Sequence, residues 1–274
     1  MVKPLFRWTV GDVSWQGLEI LAESIEMALS IYGDRFDFLV CYNSLEDKED
    51  DKRLDFIRSM IYGKPITLRE SKWEECCLPD VCGNSRKPDG TFEKNGNFAH
   101  GTLWKLAPAK LDIDRHEIIM DNDIIILKQI PIIEEWLEQD EKVLVLNEHI
   151  KFYGRYTPFF DPSLPPYNSG LMGLPPNLDF GAEVRGFWSK YTDEKHEPFF
   201  NLSHAEEQAC CVGTLINLPH FVIDKKYVRE VLAEHKGVHI TGQEYAIHMA
   251  QANRIEPHWA WLEYQEIKKK YAIF

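Results

Sequence analysis

Apolar and polar positions follow two rhythms along this chain. Leu5 to Val10 is a short apolar run ending at Gly11-Asp12, which predicts a strand. Trp15, Leu18, Leu21, Ile25, Ala28 and Leu29 then recur at helical spacing as far as Gly33. Phe36 to Cys41 reads as a second strand. Asp51 to Tyr62 reads as a helix stopped by Gly63 and Pro65, and Ile66 to Leu68 as a third strand. A helix is expected around Leu103, Trp104, Lys105 and Leu106, closed by Pro108. Strands are expected at Ile118 to Met120, Ile124 to Leu127 and Lys142 to Leu146, with a helix opening at Pro131. Helices near Asp179 to Tyr191 and Ser203 to Cys211 follow, and the end of the chain, from about residue 243 to 274, reads as mainly helical. Strands alternating with helices predict an α/β fold with a mostly parallel sheet.

Residues 71–97 break the rhythm with Pro79, Gly83, Pro88, Gly90 and Gly96. A loop of this length inside a domain is usually functional. No internal repeat or linker divides the chain, so residues 1–274 are expected to form a single domain.

Composition narrows the class. The 274 residues carry 31 Lys and Arg against 44 Asp and Glu, a formal charge of -13, which argues against nucleic acid as a partner. With 44% apolar and 12% aromatic residues the chain has ample material for a core. Apolar runs such as Ile124 to Leu127 are far below the roughly 20 residues of a membrane helix, so no transmembrane segment is expected. Met1 to Val10 lacks the apolar core of a signal peptide, and the expectation is a soluble, cytoplasmic protein. The cysteines, Cys41, Cys76, Cys77, Cys82, Cys210 and Cys211, make no disulfide framework and fit no zinc-ligand spacing even with His100 nearby; free thiols are expected.

The strongest chemical signal is Asp121-Asn122-Asp123 between the apolar runs Ile118-Ile119-Met120 and Ile124-Ile125-Ile126. Carboxylates at i and i+2 share one side of an extended chain. At the end of a buried strand they would emerge where open α/β sheets bind ligands. Two such acids repel unless a divalent cation lies between them, and oxygen ligands suit Mg²⁺ or Mn²⁺ with places left for phosphate oxygens. A solvated turn would explain the same residues. Gly-x-Gly-x-x-Gly after the first strand, a phosphate-loop lysine, Gly-x-Ser-x-Gly and His-Glu-x-x-His are all absent.

Several segments, in order, resemble the GT-A glycosyltransferases, particularly the glycogenin-like family (glycosyltransferase family 8). They are Leu103 to Pro108 with Ile118 to Ile126, then Tyr167-Asn168-Ser169-Gly170-Leu171-Met172-Gly173, Glu207-Gln208, and Val238-His239-Ile240-Thr241-Gly242; Thr9 to Asp12 extends the match to the amino end. The resemblance implies a GT-A fold with helices flanking the sheet. It also implies metal-dependent transfer of a hexose from a nucleotide diphosphate sugar, a UDP-sugar first, to a saccharide, glycan or other hydroxyl acceptor, usually with retention. Asp121, Asp123 and His239 would hold Mn²⁺ or Mg²⁺. Lys105, Asn122 and Gly242 would face the donor, and Asn168, Ser169 and Gly170 its sugar. Thr9 and Gly11 would lie under the nucleoside. Trp15 would stack on the base or, by its helical spacing, face the core. Glu207 and Gln208 match an Asp-Gln pair near the anomeric carbon, with a glutamate where the family has an aspartate. The family's Lys-Pro-Trp is absent; Tyr245-Ala246-Ile247 stands in its place, and Lys225 or Lys226 would have to supply the missing cation.

Two other readings use the same residues. A haloacid-dehalogenase-like phosphatase would take Asp121 as nucleophile, although its motif belongs near the amino terminus. An inactive sugar-nucleotide-binding module would keep the site without turnover. The 71–97 loop and Phe152, Tyr153, Tyr156, Phe159 and Phe160 would line an acceptor groove or, the favoured alternative, pack in the core or between subunits, which leaves a homo-oligomer open. Trp259, Trp261, Tyr264 and the lysines at 268–270 would be the surface for a membrane or a partner, but three lysines are too few to claim one.

Overall fold

The computed structural model describes residues 2–11, 13–42, 48–72, 75–78, 105–148, 151, 153–191, 204–232, 240–241, 243–250, 252 and 257–271. Its elements run β1 (Leu5–Val10), α1 (Trp15–Tyr32), β2 (Asp37–Tyr42), α2 (Lys48–Ile61), β3 (Ile66–Glu70), β4 (Glu117–Asp121), β5 (Ile124–Ile126), α3 (Pro131–Leu137) and β6 (Val143–Asn147). They continue as β7 (Tyr167–Leu174), α4 (Phe180–Tyr191), α5 (His204–Ile216), β8 (His220–Ile223), β9 (Val228–Glu230), β10 (Ala246–His248) and α6 (Trp259–Tyr271).

Seven strands form the main sheet in the order β3-β2-β1-β4-β7-β6-β8, and only β7 runs against its neighbours. The chain leaves β1 in one direction to β2 and β3, then returns to β4 on the other side. This reversal puts a crevice at the carboxyl ends of β1 and β4, the usual place for a ligand in such sheets. Thr9 lies opposite Asp121 at that edge. A small second sheet, β5-β10-β9, continues from the same point, with β10 antiparallel to β5.

The core lies on both faces of the main sheet, which is why Ile118, Ile119 and Met120 read as an unbroken apolar run. Phe6, Trp8 and Val40 pack with Leu18, Leu21 and Ile25 of α1 on one face. Ile119, Val145 and Met172 pack with Val184 of α4 and Val212 of α5 on the other. Ser14 caps α1, its Oγ accepting from Gly17 N at 3.0 Å.

Of the helix expected around Leu103 to Leu106, Leu103 and Trp104 lie outside the described residues, and Lys105 and Leu106 lie in a 3-10 turn. The Arg7 guanidinium takes up the carbonyls of Pro108, Ala109 and Lys105 at 2.8, 3.3 and 3.4 Å, and Pro108 has no N–H to continue a helix. The carboxyl-terminal segment includes the strand β10 before its helix. Its aromatics are not a free surface either: Trp261 and Tyr264 are buried against α1, and Glu23 accepts from Tyr264 Oη at 2.8 Å and from Lys268 Nζ at 2.6 Å. Five cysteines, Cys41, Cys76, Cys77, Cys210 and Cys211, are buried free thiols. No described helix is long and apolar enough to cross a membrane.

Candidate functional site

The segment after β4 does not stay extended. Asn122 and Asp123 form a turn, and the chain crosses into the small sheet as β5. Three bonds hold that turn, and a fourth fixes one of their donors. Asn122 Nδ2 donates to the Gly17 carbonyl at 3.4 Å, and Met249 N donates to the Asp123 carbonyl at 2.9 Å. Ser24 Oγ donates to the Ile124 carbonyl at 2.6 Å and accepts from Trp8 Nε1 at 3.0 Å. The turn therefore presents both acids to one place from a rigid base, while Asn122 itself is buried against α1.

Asp121, Asp123 and His248 bring one ligand atom each within 4.8 Å of one another. His248 ends β10, and the pairing of β10 with β5 sets it opposite Ile124, next to the acids. Its Nε2 lies 3.5 Å from Asp123 Oδ1, and Nδ1 bonds the carboxylate of Glu148. Burial would lower the histidine's pKa, but Glu148 and Asp123 outweigh it and raise it well above the ordinary range. Asp123 Oδ1 is buried without a hydrogen-bond donor among the described residues. An orphaned carboxylate oxygen beside a second carboxylate and an imidazole is a donor set that fits a divalent cation, Mn²⁺ before Ca²⁺ because of the nitrogen ligand.

Lys105 forms the other half of the site. It is 2% exposed, with Nζ 2.8 Å from Asp121 Oδ1, 3.3 Å from Ser169 Oγ and from the Ser169 carbonyl, and 3.6 Å from Glu207 Oε1. Burial alone would neutralise it, but the Asp121 and Glu207 charges hold it protonated with a raised pKa. Burial also raises Asp121, with Asp123 adding to it and Lys105 opposing. Glu207, on the inner side of α5, is 2% exposed and accepts from Cys211 Sγ at 3.3 Å and Ser169 Oγ at 3.4 Å. Its carboxyl is pushed up to about 7 by burial and the Asp121 charge, against Lys105. Gln208 is half-buried beside it.

Asn168, Ser169 and Gly170 reach the site through a register slip. Leu146 pairs with Asn168 but Val145 pairs with Met172, leaving Ser169, Gly170 and Leu171 without partners on β6. Asn168 Oδ1 accepts from Gly170 N within this bulge. Tyr153 clamps its start, the phenol donating to the Tyr167 carbonyl and accepting from Tyr167 N, both at 3.0 Å. That contact and the full burial of Tyr156 make these two residues core, with Phe160 half-buried against them, whereas Phe159 is exposed; Phe152 lies outside the described residues.

Among the expected residues, Lys105, Asp121, Ser169 and Glu207 therefore meet one another, Asp123 joins Asp121 beside His248, and Thr9 lies opposite Asp121 in the sheet. Gly11 lies just beyond the end of β1. Trp15 opens α1 and is 47% exposed, meeting Phe56 edge-to-face at 6.1 Å, so it is not a core residue. Lys225 and Lys226 are exposed on the turn before β9, with Lys226 over the Tyr227 ring at 4.9 Å. His239 and Gly242 lie outside the described residues, as does most of the 71–97 loop. The histidine that stands with the two acids is His248, which no motif in the sequence marks.

No protein-family model matches the chain, and no curated protein matches it by sequence. Solved structures do. Mouse xyloside xylosyltransferase 1, in its apo form, superposes with a TM-score of 0.53 at 11% identity over 92% of this chain and 99% of its own. The galactosyltransferase LgtC, in complex with donor and acceptor sugar analogs, gives 0.55 at 10% identity over 98% of this chain and 96% of its own. The glycosyltransferase GlyE of Streptococcus pneumoniae TIGR4 gives 0.51 at 12% identity, with 96% of this chain matching 60% of that one. The chain has the GT-A fold. The Asp121-to-Asp123 turn stands at the carboxyl edge of its β1 and β4 strands.

Proposed function

We propose that this GT-A chain is a metal-dependent glycosyltransferase that takes a hexose from a nucleotide diphosphate sugar, a UDP-sugar, and passes it to a saccharide hydroxyl with retention. One observation carries the reading: two carboxylates and an imidazole converge at the sheet's switch point, with a buried ammonium on one carboxylate. Asp121, Asp123 and His248 would hold Mn²⁺ or Mg²⁺. When bound, the cation supplies a Lewis acid that offsets charge on the departing diphosphate. Lys105 keeps a second positive charge there, held by Ser169 and Asp121, and its burial keeps it strong. The β7 bulge carries the Asn168 amide and the Ser169 hydroxyl, groups that read sugar hydroxyls. Glu207 is enclosed and bonded on its inner side, which supports a role in balancing Lys105 over that of a base for an incoming hydroxyl. This favours retention over inversion, with Gln208 and Asn168 near the reacting sugar carbon. Glycosyltransferases among the structural matches count against the phosphatase reading.

The test is donor turnover. The protein with Mn²⁺ is incubated with UDP- and GDP-hexoses and a panel of saccharide acceptors, and nucleotide release and the anomer of the new glycosidic bond are followed by proton NMR. Release from a UDP-hexose that EDTA abolishes, with the donor's anomeric configuration kept, is the expected result. Phosphate release without sugar release would overturn it, and donor binding without turnover on any acceptor would make the chain a binding module.

A further inference from the structure

Glu148 follows β6 and is 0% exposed. Its N–H donates to the Pro166 carbonyl at 2.8 Å, which fixes the main chain where β6 and β7 diverge. One carboxylate oxygen bonds His248 Nδ1; the other, Oε2, is buried with no hydrogen-bond donor among the described residues. A carboxylate is seldom buried unless something specific holds it there. Here that partner is an imidazole whose other nitrogen faces Asp123 at 3.5 Å.

We infer that Glu148 is a positioning residue for the cation site, acting through His248. The role rests on the metal reading above. An imidazole bonds a metal through either nitrogen, and which one is free is set by the partner of the other. By accepting Nδ1–H, Glu148 leaves Nε2 as the ligand atom and turns it toward Asp123. The ring is confined from a second side: a Cβ added at Gly170 would lie 3.3 Å from His248 Cε1, so β7 passes directly beside it. β6, β7 and β10 thus hold one ligand in one orientation, while β4 and its turn supply the other two.

The test uses the full chain and Mn²⁺ alone. Manganese binding is followed by loss of the aquo-ion EPR signal for the unsubstituted protein, Glu148→Ala, Glu148→Gln, His248→Ala and Glu148→Ala/His248→Ala. Imidazole proton–nitrogen spectra are recorded without metal. Glu148→Ala is expected to weaken Mn²⁺ binding by about 10- to 100-fold. Glu148→Gln, whose amide oxygen still accepts from Nδ1–H, is expected to keep most of the affinity. The double variant is expected to bind no more weakly than His248→Ala, because both changes remove one effect. A downfield Nδ1–H resonance present in the unsubstituted protein should vanish in both single alanine variants. Should Glu148→Ala fail to fold, Glu148→Met takes its place, being similar in volume and unable to accept the bond. Undiminished Mn²⁺ binding in a folded variant that cannot accept, or losses that add in the double variant, would overturn this role alone. Failure of the unsubstituted protein to bind Mn²⁺ would overturn the metal reading and this role with it.

Discussion

Lys105 shows at the scale of one residue how the site is held. Its ammonium is buried among Asp121, Ser169 and Glu207, and each carboxylate depends on it in turn. Lys105→Met is expected to destabilise the fold by about 3 kcal/mol or more, since removing one member strands buried charge. Adding Glu207→Gln should recover part of that loss in urea unfolding. A second prediction follows from Glu207. Its folded carboxyl titrates at about 7 against an ordinary 4.5, so the folded state binds a proton the unfolded chain has given up. This contribution to stability is full below about pH 4.5 and is lost as pH rises through about 7. Glu207→Gln should therefore flatten the decline in unfolding free energy between pH 5 and 7; an unchanged slope would show that the carboxyl is not buried as described. Lys105 and the two aspartates could be found in the sequence because short motifs mark them. His248 could not, because Glu148, which orients it, is 100 residues away and nothing local distinguishes that histidine.

At the scale of elements, close packing decides which glycines are replaceable. A Cβ at Gly213 on α5 would sit 2.2 Å from Phe187 Cζ on α4, whereas one at Gly186 meets nothing within 4 Å. Gly213→Ala should cost roughly 1–3 kcal/mol through overpacking. Gly186→Ala should be neutral or stabilise by about 0.5–1 kcal/mol, as glycine is a poor residue inside a helix. Paired melting curves separate the two. Gly170→Ala tests the bulge instead: with Asn168 Oδ1 at 2.9 Å and His248 Cε1 at 3.3 Å from the new Cβ, it should weaken Mn²⁺ binding more than it lowers the melting temperature. The sequence made β1, α1, β2, α2 and β3 visible through local periodicity. β7 was legible only as a motif, since Asn168, Ser169, Gly170 and Gly173 lack the alternation of a strand. β10 has three residues, and its existence depends on the open edge of β5, a tertiary circumstance no local pattern announces.

For the whole molecule, the alternation of strand and helix was enough to anticipate a mostly parallel sheet, and the apolar run before Asp121 placed the acids at its carboxyl edge. The candidate site is less legible, because Lys105, Asp121, Ser169, Glu207 and His248 come together from segments far apart in sequence. On the proposal above, Asp121, Asp123 and His248 form one cation site that a nucleotide diphosphate completes. It is tested most directly by melting temperature with UDP, GDP or neither, each with Mn²⁺ or EDTA, for the unsubstituted protein and Asp123→Ala. A ligand at about 100 times its dissociation constant adds roughly 2.7 kcal/mol, enough for a shift of several degrees. A rise is expected with UDP and Mn²⁺ together that neither gives alone and that Asp123→Ala abolishes. No rise with either nucleotide in the presence of Mn²⁺, or a rise that survives Asp123→Ala, would contradict it.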